Sequence, residues 1–274
     1  MTGPPPDVVA RLRAAGCVFA EEEAALLAAA APTPAALAAL VDQRAAGTPL
    51  EQVVGWADFC GLRIAVDPGV FVPRRRTEFL VGEAVTLLRQ VAPPHHRPVA
   101  RPRAVVVDLC CGTGALGVAV AAALPGVELH ATDLDPAAVA CARRNVAPVG
   151  GQVHQGDLDQ PLPPELRGRV DLLLANVPYV PTDEVALLPA EARLHEPRTA
   201  LDGGADGLDV LRRVAAVAPR WLAPGGHLLL ETSDRQAAAA VAIVGAAELV
   251  ARTAGSEELE ATVVIGTRPA HRAG

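Results

Sequence analysis

The stretch "AVVVDLCCGTGALG" (residues 104–117) decides the fold. An apolar run ends on Asp108-Leu109, and a turn with Gly112 and Gly114 leads directly into helix-forming residues. A strand that is apolar on both faces belongs inside a sheet covered on both sides. The small residues let the next helix approach closely and let a ligand lie against the backbone. The same rhythm repeats downstream. Strands are expected at 127–134, 151–158, 170–177 and 225–232, with helices at 114–124, 136–146 and 207–222. Two further strands, within 246–255 and 259–268, suit an antiparallel pair at one edge. The fold class is therefore α/β, with a mostly parallel seven-stranded sheet. Ligands in such sheets bind at the carboxyl ends of the strands.

Upstream the character differs. "DVVARLRAAG" (7–16), "FAEEEAALLAAA" (19–30) and "TPAALAALVDQRAAG" (33–47) read as three Ala-rich helices. Asp7 and Thr33 are expected as caps, with Gly16 and Gly47 as stops. Residues 1–48 thus form a small N-terminal helical domain. Residues 49–75, with Gly55, Gly61 and Pro68-Gly69 as turn points, form a connecting β-hairpin, and 76–274 form the main domain. An amphipathic helix capped near Thr77 opens that domain. "PPHHRPVARPR" (93–103) reads as a solvated Pro-rich connector, so His95 and His96 are not expected to ligate a metal.

The 274 residues are 51% hydrophobic, enough for a full core. All 24 basic residues are Arg, which removes Schiff-base and P-loop lysine chemistry. A net charge of −7 disfavours stable nucleic-acid binding. Cys17, Cys60, Cys110, Cys111 and Cys141 lack paired zinc spacing and read as free thiols in a reducing cytosol; no metal site is expected. The N-terminus lacks an apolar signal core, and Pro32 and Pro34 interrupt the one Ala-rich apolar run. The expectation is a cytoplasmic monomer with no membrane partner.

Four polar motifs fall at strand exits. The first joins Asp108, Cys110, Gly112 and Gly114. Its D-x-x-x-G-x-G form resembles motif I of Rossmann-like class I S-adenosylmethionine (AdoMet) methyltransferases, with Cys110 in the place of a first glycine. An acid at the strand end suits a ligand carrying an amino-acid ammonium. The second is "ATDLDP" (131–136). Asp133, 21 residues after Gly112, is placed to accept both ribose hydroxyls, beside Leu134, while Asp135 before Pro136 reads as a helix cap. The third is "GDLDQPLP" (156–163), where Gly156 and Asp157 would meet the adenine. The fourth is "ANVPYV" (175–180). An Asn-x-Pro-Tyr exit resembles the signature of enzymes that methylate a planar nitrogen. Such a nitrogen has a delocalised lone pair, as in the peptide bond. Two acceptors that hold both its hydrogens, the Asn176 side-chain oxygen and the Val177 carbonyl, would aim the lone pair at the methyl group, and Asn176 is also expected to touch the cofactor. Pro178 keeps Val177 extended, and Tyr179 would pack on the planar group.

The segments "PLEQVVGWADFCGLRIAVDPGVFVPRRRTEFLV" (49–81), "HEPRTALDGGADGLDVLRRV" (195–214) and "LAPGGHLLLETSDRQ" (222–236) resemble the HemK/PrmC protein-(glutamine-N5) methyltransferases over most of the chain. The resemblance implies AdoMet as cofactor, with S-adenosylhomocysteine as product. It implies a peptide chain release factor as protein substrate, methylated on the Gln of Gly-Gly-Gln. It also implies that Phe71, Pro73 and Arg74 flank the AdoMet pocket. The chain departs from the family pattern at Val177, Cys110, Arg75 and Arg76; Arg76 stands where the family carries an acid. The residues leave two alternatives open: an adenine or cytosine amino methyltransferase, and a non-catalytic AdoMet-binding module. Glu196 and Glu231 remain as acids of open role. Trp56 and Trp221 read as packing residues.

Overall fold

A computed structural model describes residues 5–91 and 103–270. His95, His96 and residues 93–102 of the connector lie outside them.

Helices α1 (Pro6–Ala14), α2 (Ala20–Ala30) and α3 (Pro34–Ala45) form the N-terminal bundle. Leu12, Leu27, Val41 and Val53 share its core with Ala20 and Ala24. Thr33 caps α3, its hydroxyl accepting from the Ala36 N–H at 3.1 Å. Asp7 does not cap α1. Pro5 takes the cap position, and Asp7 sits in the first turn, where its charge favours the helix dipole. Residues 50–54 are also not extended as expected. They form helix α4 (Leu50–Val54), which Gly55 ends at φ +84°. Strands β1 (Trp56–Phe59) and β2 (Leu62–Ala65) then pair antiparallel around Cys60-Gly61. Both loop residues have positive φ, as a type I′ hairpin turn requires.

A 3₁₀ turn at Arg75–Thr77 leads into α5 (Glu78–Val91). The alternating region follows: β3 (Val105–Leu109), α6 (Ala115–Ala123), β4 (Glu128–Asp133), α7 (Pro136–Val146), β5 (Gln152–Gln155) and β6 (Val170–Ala175). After these come α8 (Ala190–His195), α9 (Asp209–Trp221), β7 (Leu222–Thr232), α10 (Ala237–Ala246), β8 (Val250–Ser256) and β9 (Ala261–Thr267).

The seven-stranded sheet runs β5-β4-β3-β6-β7-β9-β8, with the first five strands parallel and β9 antiparallel to both neighbours. Alternate residues of each strand feed two cores. Val105, Val107, Leu173 and Leu228 pack with Leu211, Val214 and Trp221 of α9. Val106, Leu172, Leu174 and Leu229 pack with Leu80 and Ala84 of α5 and Leu116 and Val120 of α6. Leu172, Leu173 and Leu174 are fully buried, the mark of a strand covered on both faces. Trp221 is core, its indole N–H donating to Asp159 at 2.8 Å, whereas Trp56 is half-buried beneath the Arg63 guanidinium. Chain order reverses between β3 and β6, so their carboxyl ends open side by side at the switch point.

Candidate active site

The β3 exit turns within five residues. Cys110, Gly112 and Gly114 all have positive φ, at 54°, 55° and 76°. A left-handed cysteine is strained where glycine is free, which is why a glycine would suit position 110. At Gly114 a Cβ would lie 2.9 Å from the Val146 side chain of α7, so the glycine lets two helices close together. The thiols of Cys110 and Cys111 diverge into separate apolar clusters, and burial pushes both up.

Asp133 ends β4 and braces this turn. Its Oδ2 accepts the Gly112 N–H at 2.8 Å and its Oδ1 the Asp135 N–H at 2.9 Å. Burial raises its pKa, while the N–H groups of Asp135 and Gly112 oppose that shift. Asp135 caps α7 through the Ala137 N–H. Asp157 reaches the same cavity and pairs with Arg213 at 2.6 Å.

Three residues expected to meet a ligand do not line the cavity. Asp108 is fully buried behind the turn. Its Oδ2 accepts the Gly117 N–H of α6 at 3.0 Å, and its Oδ1 has no partner among the described residues. Burial pushes this carboxyl up to about 8, and the Gly117 N–H opposes that shift. Gly114 faces α7. Gly156 donates to the Asp133 carbonyl and packs against Pro161.

At the β6 exit Asn176, Val177, Pro178 and Tyr179 all line the cavity. The Asn176 Nδ2 lies 3.5 Å from the Thr77 hydroxyl, which leaves Oδ1 free to accept. Val177 is 1% exposed and joins the core with Leu109 and Leu173, so the side chain that replaces a proline fills apolar space. The next residues are held by the 201–209 loop. The Val180 N–H donates to the Leu201 carbonyl and the Gly203 N–H to the Val180 carbonyl, and Gln236 donates to the Tyr179 carbonyl at 2.9 Å. Gly207, at φ +75°, lies so close that any side chain would overlap that carbonyl. The Tyr179 hydroxyl meets the Arg76 guanidinium and lies 3.4 Å from Glu231. Burial, and then the Glu231 charge, push the phenol up to about 12.

Glu231, an acid of open role in the sequence, does not serve backbone N–H groups among the described residues. Instead its Oε1 accepts from Arg76 at 3.2 Å. Glu196 likewise has a definite place. It accepts the Val72 N–H and the Arg74 guanidinium, and so fixes the wall on which Phe71, Pro73 and Arg74 line the cavity. Buried Gln52 joins that wall to α8 by donating to the carbonyls of Val70 and His195. Thr77, Arg213 and Gln52 join the site residues expected from the sequence; the sequence pattern marks Thr77 only as a helix cap, and the other two bear no local pattern.

The cavity bounded by these walls measures about 1060 Å³. Small-ligand pockets run from roughly 300 to 1,000 Å³, so this one lies at the upper end of that range. The glycine turn offers bare backbone, Asp133 offers a partly protected carboxylate, and exposed Leu134 offers an apolar surface. These suit the amino-acid end, ribose and base of AdoMet. The fold and this cavity define a class I AdoMet-dependent methyltransferase.

Residues 62–206 match the model of the "Methyltransferase small domain" family. The release factor glutamine methyltransferase of Mycolicibacterium smegmatis is 44% identical over 77% of this chain and 72% of its own length. The chain belongs to the release factor glutamine methyltransferase family. A 4-amino-L-phenylalanine/4-methylamino-L-phenylalanine methyltransferase from Streptomyces pristinaespiralis is 38% identical over 78% of this chain and 71% of its own. Among solved structures, a methyltransferase from Pyrococcus furiosus shares the fold, with a TM-score of 0.52 and 16% identity over 76% of this chain and 90% of that one.

Proposed function

We propose that the chain methylates the side-chain amide nitrogen of a protein glutamine, and that this glutamine belongs to the Gly-Gly-Gln motif of a peptide chain release factor. The observation that carries the reading is the convergence of Asn176, Val177 and Tyr179 on one cavity, with the Asn176 Nδ2 3.5 Å from the Thr77 hydroxyl.

AdoMet supplies an electrophilic methyl on a sulfonium. Asp133 would hold its ribose, the Gly112 turn its methionine end, and Leu134 and Asp157 its base. The chain's own part is orientation. Asn176 Oδ1 and the Val177 carbonyl each accept one N–H of the glutamine amide. This rotates the nitrogen lone pair toward the donor and stabilises positive charge as it develops on nitrogen. Tyr179 packs on the amide plane, and the Phe71–Arg74 wall closes the opposite side against water. The amide nitrogen takes the methyl as the S–CH3 bond breaks, which leaves S-adenosylhomocysteine as a neutral thioether. The methylated nitrogen, now strongly acidic, releases one N–H proton to solvent water, so catalysis by positioning needs no strong base. The enzyme is read as a cytoplasmic monomer. Its net charge of −7 supports a protein partner over a nucleic acid. Among the described residues, no helix is long and apolar enough to cross a membrane.

The relative that acts on 4-amino-L-phenylalanine supports a second reading, in which the same clamp holds an arylamine. Both are planar NH2 groups, and the Pro-to-Val departure at 177 touches the clamp itself. One experiment separates them. The enzyme is incubated with labelled AdoMet and, separately, a release factor, 4-amino-L-phenylalanine, RNA and DNA. Label on the release-factor glutamine is expected. Label on the arylamine or nucleic acid alone would replace the proposal.

A further inference from the structure

We infer that Arg76 is a positioning residue for the acceptor: anchored on the buried Glu231 carboxylate, its guanidinium holds the Tyr179 phenol as a fixed wall of the cavity. This rests on the reading that the acceptor's planar group lies against Tyr179.

Three contacts converge. The Arg76 Nε donates to Glu231 Oε1 at 3.2 Å, its terminal nitrogen meets the Tyr179 hydroxyl, and its carbon lies 5.7 Å from the centre of the Tyr179 ring. One planar fork therefore serves the carboxylate and the hydroxyl together, at the hydroxyl edge of the ring. A lysine ammonium lacks that fork. Glu231 is 2% exposed, and its second oxygen has no partner among the described residues. A buried carboxylate is stable only when paired. Arg76 is the one cation the structure brings to it among the described residues, so the carboxylate in turn restricts where the guanidinium can go.

The main chain at Tyr179 is held separately, by Gln236 and by the close approach of Gly207. Loss of Arg76 therefore frees the ring and leaves the strand exit in place. The side chain of Arg76 is nearly half exposed, so its removal opens no core cavity. A phenol pinned at its hydroxyl edge has its orientation set before an acceptor arrives, which lowers the entropy lost on binding.

Tyr179 is the chain's single tyrosine, so a ring-labelled sample gives one set of aromatic NMR signals. Ring motion should be restricted in the parent and averaged in Arg76→Ala and Glu231→Gln. In the same variants the acceptor KM should rise roughly tenfold while the Kd for S-adenosylhomocysteine stays within twofold. Arg76→Lys should recover only part of the loss. The Arg76→Ala/Glu231→Gln double variant should be no worse than the more impaired single one. A ring equally restricted in parent and Arg76→Ala overturns the inference, whatever the acceptor. If the parent fails to methylate glutamine but Arg76→Ala frees the ring, the proposed substrate fails and the clamp stands.

Discussion

The Glu196 carboxylate, whose side chain has no solvent exposure, receives the Arg74 guanidinium on both oxygens at 2.6 Å. The two residues are 122 positions apart. Arg74 lines the cavity and Glu196 ends α8, whose Glu191 and Ala192 also line it, so a single ion pair joins two segments that border the cavity. Glu196→Ala would leave Arg74 unpaired and the Val72 N–H without its acceptor. A fully buried pair broken in this way loses about 3 kcal/mol or more; with Arg74 one-third exposed, about 2 kcal/mol is expected. Urea unfolding measures that loss, and calorimetry should show weaker S-adenosylhomocysteine binding.

Asp133 braces the Gly112 turn with one oxygen and is read as the ribose acceptor. Asp133→Ala should weaken donor affinity by roughly tenfold to a hundredfold, the range for one or two hydrogen bonds to a charged group. Titration calorimetry with S-adenosylhomocysteine reads it. An unchanged Kd would put the ribose elsewhere.

Asp108 gives the chain a pH dependence. Its carboxyl titrates near 8 in the folded protein and in the ordinary carboxylate range when unfolded. The folded state therefore binds the proton more tightly. Stability from this group is full below about pH 4 and is lost as pH rises toward 8. Asp108→Asn keeps the acceptor for the Gly117 N–H and removes the titration. Urea unfolding from pH 5 to 8 should show a falling stability in the parent that is flatter in the variant.

Tyr179 offers an optical counterpart. Burial and then the Glu231 charge hold its phenol near 12, above the ordinary value of 10. Its protonated form favours the fold, so this contribution is present below pH 10 and fades as pH climbs toward 12. Glu231→Gln removes a raising charge. The ultraviolet titration of this lone tyrosine should shift to lower pH in that variant.

Much of the architecture was legible because it is periodic or punctuated. The apolar runs of β3 and β6, Thr33 before Pro34, and Asp135 before Pro136 each carry a local physical signal that the structure obeys. Three helices escaped notice. The α10 stretch is almost uniformly Ala and Val, with no polar stripe to reveal a period. Helices α4 and α8 have five and six residues, too few to show one. Asp108 shows another limit. Its place at a strand end said nothing about which way the side chain points, and the β3 turn aims it at α6. The Arg76–Glu231 and Arg74–Glu196 pairs span 155 and 122 residues, so only folding brings them together. Arg76 read as a departure beside the cofactor; its partners did not show until the fold was in hand.

The central claim is that Asn176, although it also borders the donor, acts chiefly by holding the acceptor NH2. The most direct test is single-turnover methyl transfer to a release factor by the parent and by Asn176→Ala, with the Kd for S-adenosylhomocysteine measured on the same samples. Loss of one preorganised acceptor should lower the transfer rate by about a hundredfold or more while the Kd stays within twofold. Transfer that persists within a few-fold of the parent rate would contradict it.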